Sequence, residues 1–251
     1  MAGGGSLARV WLPYCGAAPE PGALAERWNL DPVLLAGLAL AVVAYRLAVP
    51  AARRRPRPFF AAMAVLVVLF VSPFCALTSA LFAARSAHHA LLVAVAAPLL
   101  AAACPGANRL LRLPLWGWTA VSILVLWAWH VPGFYAAALS SDAVYWLMQV
   151  TLLASATGFW AAVWRASPAS AVGALLAAMV QMGLLGAILT FASVAFYAPH
   201  FLTTAAWGLS PLEDQQLAGL IMWAPAAALY LFAALYVAGR WLAVESAPAA
   251  R

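Results

Sequence analysis

The residues of this sequence that could do chemistry are mainly imidazole and sulfur side chains. They are His88, His89, His130 and His200, together with Cys75 and Met222. Imidazole, thiolate and thioether groups suit copper(I), whereas the sequence offers no oxygen-rich cage for calcium or magnesium. It also carries no CxxC or HExxH zinc spacing, no glycine-rich nucleotide motif and no defensible Ser-His-Asp arrangement. The side-chain chemistry therefore predicts a protein that handles a soft metal and is not an enzyme.

Apolar helices must position these side chains. The chain is 67% hydrophobic and 8% charged, whereas soluble domains carry about 25% charged residues. A helix crosses a bilayer core with roughly 20 apolar residues, and lipid offers backbone amides no other partner. Seven such stretches run over 32–50, 58–77, 87–104, 115–138, 143–164, 170–197 and 216–240. The predicted fold class is all-α, a polytopic membrane protein with seven transmembrane helices.

The arginine distribution predicts the direction of these helices. Arginine-rich loops stay in the cytoplasm, and arginines cluster at 53–57, 109–112, 165 and 240–251. The N-terminus is therefore predicted outside and the C-terminus inside, so that all four histidines reach the outer face. The net charge of +6 is assigned to topology and anionic lipid, not to nucleic acid. The predicted organisation is a short periplasmic tail, a seven-helix bundle and a cytoplasmic tail, at 1–30, 31–243 and 244–251.

Three histidines lie near predicted outer helix ends. His130 precedes Pro132 at the outer end of the fourth helix, where it either binds a ligand or bonds to the loosened backbone and water. His88 and His89 open the third helix, and neighbouring residues on a helix point about 100° apart, so they are not expected to share one ion. Either one of them faces the bundle, or both cap the helix or reach the interface. His200, in the last outer loop, is predicted to be solvated.

The start of the seventh helix carries a polar stripe that runs towards a thioether. Gln215, Gly219 and Met222 share one face by the i, i+4, i+7 rule, and Asp214 stands beside them. Asp214 is predicted either to act with this stripe or to cap its own helix. Met222 is a candidate ligand or core filler. Cys75 is either a soft ligand or a small buried hydrophobe, and Cys15 is the one other cysteine on its side of the membrane.

Several motifs resemble the multi-pass CtaG family of cytochrome c oxidase assembly factors, in the same order over nearly the whole chain. They are Trp28-Asn29-Leu30-Asp31-Pro32, Ser72-Pro73-Phe74, His89 with Leu91-Leu92 and Ala97-Pro98-Leu99-Leu100, His130-Val131-Pro132-Gly133-Phe134-Tyr135, and Ser210-Pro211 through Asp214-Gln215-Gln216-Leu217-Ala218-Gly219 to Met222-Trp223. The blocks around His130 and Asp214 are the most specific.

This resemblance implies a bacterial inner-membrane protein that helps a haem-copper oxidase acquire copper. It carries over His89, His130 and Asp214, with Met222 as a weaker addition. Members of the family often have a histidine where this chain has Arg85, and another near Gln149 or Val150. The implied partners are oxidase subunits, a periplasmic copper chaperone and membrane lipid.

The leading hypothesis is a copper(I)-handling assembly factor at the periplasmic face. Its candidate metal ligands are His89, His130, Met222, Cys75, Asp214 and His88. The main alternative is a metal-free scaffold that holds an oxidase subunit or another chaperone during assembly. A transporter of copper or a small solute ranks lower, because the spans offer few polar groups beyond Gln181 near the midplane. The histidines alone also leave a haem-binding role open.

Overall fold

The structure, a computed structural model, describes residues 11–104 and 113–245. Arg9, Arg109, Arg112 and Arg251, on which part of the predicted topology depends, lie outside the described residues. Within the described ranges the chain forms helices and no strand. The α-helices are α1 (Pro32–Ala48), α2 (Pro56–Phe70), α3 (Pro73–Ala80), α4 (Phe82–Leu91), α5 (Ala97–Ala103), α6 (Leu115–His130), α7 (Pro132–Ala138), α8 (Asp142–Val163), α9 (Pro168–Thr190), α10 (Pro211–Ile221) and α11 (Ala227–Glu245).

Membrane-spanning helices dominate the described part of the chain. Four continuous stretches are long and apolar enough to cross a bilayer, namely α4 with α5, α8, α9, and α10 with α11. Two bent pairs, α2 with α3 and α6 with α7, raise this number to six if each pair is one span. Helix α1 is apolar but has 17 residues. The predicted all-helical membrane protein is thus confirmed, while the count of seven spans stays a prediction.

Proline places both bends. Helices α2 and α3 meet at 48°, and α6 and α7 meet at 79°. Pro73 and Pro132 each occupy the first position of the second helix, where the missing N–H costs nothing but the preceding residue is driven out of the helical conformation. At the first bend the Ser72 hydroxyl accepts a bond from the Phe74 amide at 3.2 Å. The uninterrupted helices predicted over 58–77 and 115–138 are therefore wrong in this detail.

Two single π-turns interrupt two of the continuous spans. One, Leu92–Ala96, joins α4 to α5, and the other, Met222–Ala226, joins α10 to α11. A proline lies next to the first and inside the second, so each removes a backbone donor from the helix. The Val93 carbonyl in the first π-turn accepts a bond from the Trp160 indole at 2.9 Å. This bond ties the span to α8.

The segment before α1 is fastened to the bundle by a disulfide between Cys15 and Cys75, whose Cα atoms are 5.4 Å apart. Tyr14 donates a hydrogen bond to the Asp31 carboxylate and stacks on Tyr145 at 5.0 Å. This bond to Tyr14 is the main cause that holds the pKa of the Asp31 carboxyl below its ordinary value. The segment from Tyr14 to Asp31 is thus attached to the packed structure at both of its ends.

Loss of this disulfide is expected to destabilise the outer half of the protein. It closes a loop of 60 residues, for which the chain-entropy estimate is about 4 kcal/mol. We expect the Cys15→Ser/Cys75→Ser double variant to lower the thermal unfolding midpoint in detergent by several degrees. Cys104→Ser is the control, because Cys104 is a free cysteine. Equal midpoints for the two proteins would contradict this prediction.

Candidate functional site

Three buried imidazoles form a row inside the bundle. His88, His89 and His130 have exposed fractions of 0%, 2% and 5%. The ring centres of His88 and His89 are 5.8 Å apart, and those of His89 and His130 are also 5.8 Å apart. All three rings are therefore buried in the bundle, and the rings of His89 and His130, which lie on different helices, meet edge to face.

Asp214 determines where the helix that carries two of these histidines begins. Its carboxylate accepts bonds from the Phe82 and Ala83 amides at 2.7 and 3.0 Å, which are free donors at the start of α4. The helix thus begins six residues before His88, and the prediction that the histidines open it is wrong. Asp214 caps α4 and not its own helix, where Ser210 and Glu213 form a capping box. As a cap, it has each of its two carboxylate oxygens hydrogen-bonded to one backbone amide.

One ring nitrogen of His130 is hydrogen-bonded to the backbone, which leaves the other nitrogen able to bind a metal ion. Its Nδ1 lies 2.7 Å from the Leu126 carbonyl, and because a carbonyl can only accept, Nδ1 carries the proton. Nε2 therefore keeps its lone pair, as in most metal-binding histidines. His130 is the last residue of α6, and its own carbonyl accepts a bond from the Tyr197 hydroxyl at 2.8 Å. The ring is thus fixed from two sides.

His88 and His89 are buried without such bonds. Neither nitrogen of His89 has a hydrogen-bond partner among the residues that the structure describes, and His88 makes no bond of good geometry, although the Leu69 backbone lies close to it. A buried polar group without a partner costs about 1–3 kcal/mol, and such groups are rare enough in native proteins to need a specific explanation. The two nitrogens of His89 are therefore available to a ligand or to water.

Arg85 and Gln149 add further unpaired polar groups around this row. Arg85 is fully buried, donates from Nη2 to the Thr78 carbonyl at 3.3 Å, and lies 5.3 Å from the centre of the Tyr145 ring. Its Nε and Nη1 atoms, and both amide atoms of Gln149, have no partner within the described part of the chain. Arg85 shares a helix face with His88 and His89, which follow three and four residues later. The row therefore lies beside a permanent positive charge.

Aromatic rings separate the row from its surroundings. Phe70 meets His88 edge to face at 4.9 Å, and Phe74 lies beside the same ring at 6.2 Å. Phe82 covers His130 at 6.3 Å and stacks on Tyr197 at 3.7 Å. Because apolar rings exclude water, electrostatic interactions and hydrogen bonds within this site are stronger than in solution.

His200 is part of the scaffold and not a solvated residue, so that prediction is wrong. It is 1% exposed, its Nε2 lies 2.6 Å from the Tyr135 hydroxyl, and its Nδ1 lies 3.2 Å from the Ala80 carbonyl. Burial lowers the pKa of His200 to about 3. Both nitrogens are thus used to hold the outer loop against α3 and α7.

The two sulfur-containing candidates, Cys75 and Met222, have different roles in the structure. Cys75 is paired with Cys15 and in this form offers no thiolate. Met222 is buried at the head of the second π-turn, which packs against α4. Gln215 does not form an open entrance above it, because its side-chain amide bonds to the Phe196 amide and the Val194 carbonyl at 2.7 and 3.1 Å. The stripe from Gln215 to Met222 therefore anchors the outer loop.

The described residues contain no group of three His, Cys, Asp or Glu side chains that could hold one metal ion together. The arrangement that the structure does offer is a pair of neighbouring imidazoles, with a third next to it. Sequence reasoning found the histidines but not their shared row, and it treated Arg85 and Gln149 only as departures from a pattern. Arg85, His88 and His89 are spaced at i, i+3 and i+4, and this spacing could have shown that the three side chains share one helix face.

A comparison with protein families matches residues 36–243 to the cytochrome c oxidase caa3 assembly factor family, Caa3_CtaG. No curated protein and no solved structure matches the chain. The matched region begins within α1 and ends two residues before the end of α11, and it contains the histidine row and Asp214. This membrane protein therefore belongs to the Caa3_CtaG family of cytochrome c oxidase assembly factors.

Proposed function

We propose that this assembly factor carries copper(I) as cargo and holds it between His89 and His130 on the outer side of the membrane. The observation that carries the proposal is the neighbouring pair of buried imidazoles, 5.8 Å apart between ring centres, in which His89 has no hydrogen-bonded nitrogen and His130 uses only Nδ1. Imidazole in a dry, aromatic-lined site suits copper. The protein acts here as a carrier and not as an enzyme.

The spacing of the two rings fits one bound ion. Metal–imidazole bonds are about 2.0 Å long, so a slightly bent N–metal–N bridge between the rings places their centres about 6 Å apart. The observed distance between His89 and His130 is 5.8 Å. Met222, which is buried where the second π-turn packs against α4, is the candidate for an additional soft ligand.

The positive charge of Arg85 favours a site that holds copper only briefly. A cation in a site of low dielectric repels a second cation far more strongly than in water, and Arg85 lies on the same face of α4 as His88 and His89. Copper held next to this charge is released more easily to an acceptor. An oxidase subunit is the proposed acceptor, and a periplasmic copper chaperone is the proposed donor.

The proposed topology has seven spans, with α1 as the first, the N-terminus outside and the C-terminus inside. The disulfide between Cys15 and Cys75 supports it, because disulfides persist in the periplasm and not in the cytoplasm. This side also contains the outer loop with His200 and the ends of α4 and α6 that carry the histidine row. The bacterial inner membrane is the location that this topology and the family favour.

The copper proposal is tested by competition with a copper(I) chelator under anaerobic conditions. All proteins carry Cys104→Ser, because a free thiol binds copper(I) by itself. His89→Leu and His130→Leu keep the side-chain volume. Mutation of a residue that only orients a metal ligand typically lowers metal affinity by about 10- to 100-fold. Removal of a direct ligand should cost at least as much, so we expect His89→Leu or His130→Leu to weaken copper(I) binding by about 100-fold or more.

X-ray absorption on the loaded protein supplies a second readout, with two nitrogen ligands expected in the parent and one fewer in each variant. Thermal unfolding shows whether each variant remains folded. Copper(I) uptake that is unchanged in both folded variants would refute the proposal.

The alternative is a metal-free scaffold, and the buried charge of Arg85 is the observation that favours it. On this view the unpaired groups of Arg85, His88 and Gln149 specify how the helices pack. Variants without His89 and His130 should then restore oxidase assembly in a deletion strain, and added copper should not replace the protein. The copper carrier would be favoured if these variants did not restore oxidase assembly in the deletion strain and if added copper did restore it.

A further inference from the structure

A second candidate site lies at the opposite end of the bundle from the histidine row. It is a cavity of about 790 Å³ among the ends of α5, α8, α9 and α11. Its polar and aromatic lining consists of Arg55, Trp164, Arg165, Tyr236, Arg240 and Trp241. None of the proposed copper-site residues takes part in it, so it is independent of the proposed function.

The three arginines reach the cavity from three separate parts of the chain. Arg55 immediately precedes α2, Arg165 lies between α8 and α9, and Arg240 lies in the last turns of α11. Arg240 is steadied by Tyr236, to whose hydroxyl its Nη1 donates at 3.2 Å and over whose ring it lies at 5.9 Å. No Asp or Glu of the described residues lines the cavity. Arg55 and Arg240 therefore bring two guanidinium groups to the cavity from the ends of separate helices, and Arg165 also lines it.

The floor of the cavity is apolar. Ala101, Val163 and Ala171 line it and are buried in the bundle. Trp164 and Trp241 stand at its edge, and tryptophan is enriched at the level of lipid headgroups. The cavity thus combines a charged rim with an apolar interior at the end of apolar helices.

We propose that this cavity binds the headgroup of an anionic phospholipid. Guanidinium groups bind phosphate through paired, charge-assisted hydrogen bonds, and basic pockets between membrane helices are suited to such headgroups. Arg55 and Arg240 hold the phosphate from two sides, with Arg165 close by. The apolar floor receives the first part of an acyl chain, which distinguishes a lipid from free phosphate. One lipid bound in this way fastens α2, α8 and α11 to each other at the end of the bundle that lacks a disulfide in the described structure.

The test measures the thermal stability of the purified full chain in mixed micelles that contain phosphatidylglycerol or phosphatidylcholine. Phosphatidylglycerol is expected to raise the unfolding midpoint, and native mass spectrometry is expected to show one retained lipid per chain. Each arginine near a membrane surface contributes about fivefold to binding of anionic lipid, so Arg55→Gln/Arg240→Gln is expected to weaken retention by about 25-fold. Arg57→Gln is the matched control, since Arg57 is exposed nearby but does not line the cavity.

Each other outcome overturns the proposal. Equal stabilisation by the two lipids, or equal losses in the Arg57→Gln and double variants, would show a general surface charge effect. Stabilisation by inorganic phosphate to the same extent would assign the cavity to a free anion. Preferential binding of an acidic peptide over phosphatidylglycerol would assign it to a protein partner. The comparison of lipids on the unaltered chain needs no variant to fold.

Discussion

Replacement of Gly219 with alanine is expected to separate α9 from α10 and to destabilise the protein strongly. A Cβ at this position would lie 2.4 Å from the Thr190 hydroxyl, 2.5 Å from the Gly186 carbonyl and 2.6 Å from the Thr190 amide. Two of these are backbone atoms, so no side-chain rotation relieves the clash. Overpacking typically costs about 1–3 kcal/mol, and a contact with rigid backbone belongs at the upper end of that range.

Gly183→Ala is the matched control for Gly219→Ala. Gly183 lies on α9 one turn before Gly186, and its added Cβ would meet Trp223 at an ordinary 3.5 Å. Alanine is also favoured over glycine within a helix by about 1 kcal/mol. Thermal unfolding in detergent should therefore show a lower midpoint for Gly219→Ala and an unchanged or higher midpoint for Gly183→Ala. The idea of close backbone contact fails if both variants behave alike.

Asp214→Ala is the second substitution with a large expected effect. It leaves the amides of Phe82 and Ala83 without their acceptor inside the protein, and each buried amide without a partner costs about 1–3 kcal/mol. We therefore expect a loss of about 2–5 kcal/mol in the free energy of unfolding, with Asp214→Asn intermediate because its amide oxygen still accepts a bond. The first turn of α4 should also loosen, and hydrogen exchange of the amides at 82 and 83 measures this directly.

Glu213→Ala provides the comparison for Asp214→Ala. Glu213 is the neighbouring acid, but it is exposed and its carboxylate bonds to the Ser210 amide of its own helix. Loss of a single exposed cap contact costs about 1 kcal/mol. Under the copper proposal, Asp214→Ala should further weaken copper(I) binding, because the helix that positions His89 has lost its fixed start, while Glu213→Ala should not. A larger loss of stability in Glu213→Ala would contradict the role of Asp214 as the cap of α4.

The sequence alone was sufficient for the class of the fold. Runs of apolar residues near the length of a bilayer require helices whatever their partners are, because the backbone must satisfy its own hydrogen bonds in lipid. The sequence also predicted a loosened backbone at Pro132, but it predicted no bend at Pro73. It did not show that α4 begins at Phe82 or that the sixth predicted helix ends at Thr190 and not at 197. Those limits depend on Asp214 and Gln215, which bond to distant backbone.

The types of the site residues were also evident from the sequence, since imidazole and sulfur chemistry is local to each side chain. Tertiary structure decided their roles. It paired Cys75 with Cys15, bonded both nitrogens of His200, turned Asp214 into a cap for another helix, and left His89 beside His130. Helical periodicity predicts which residues share one helix face, but the partner across the gap depends on helix crossing and register. These are fixed by contacts between residues far apart in the chain, such as Gly186 with Gly219.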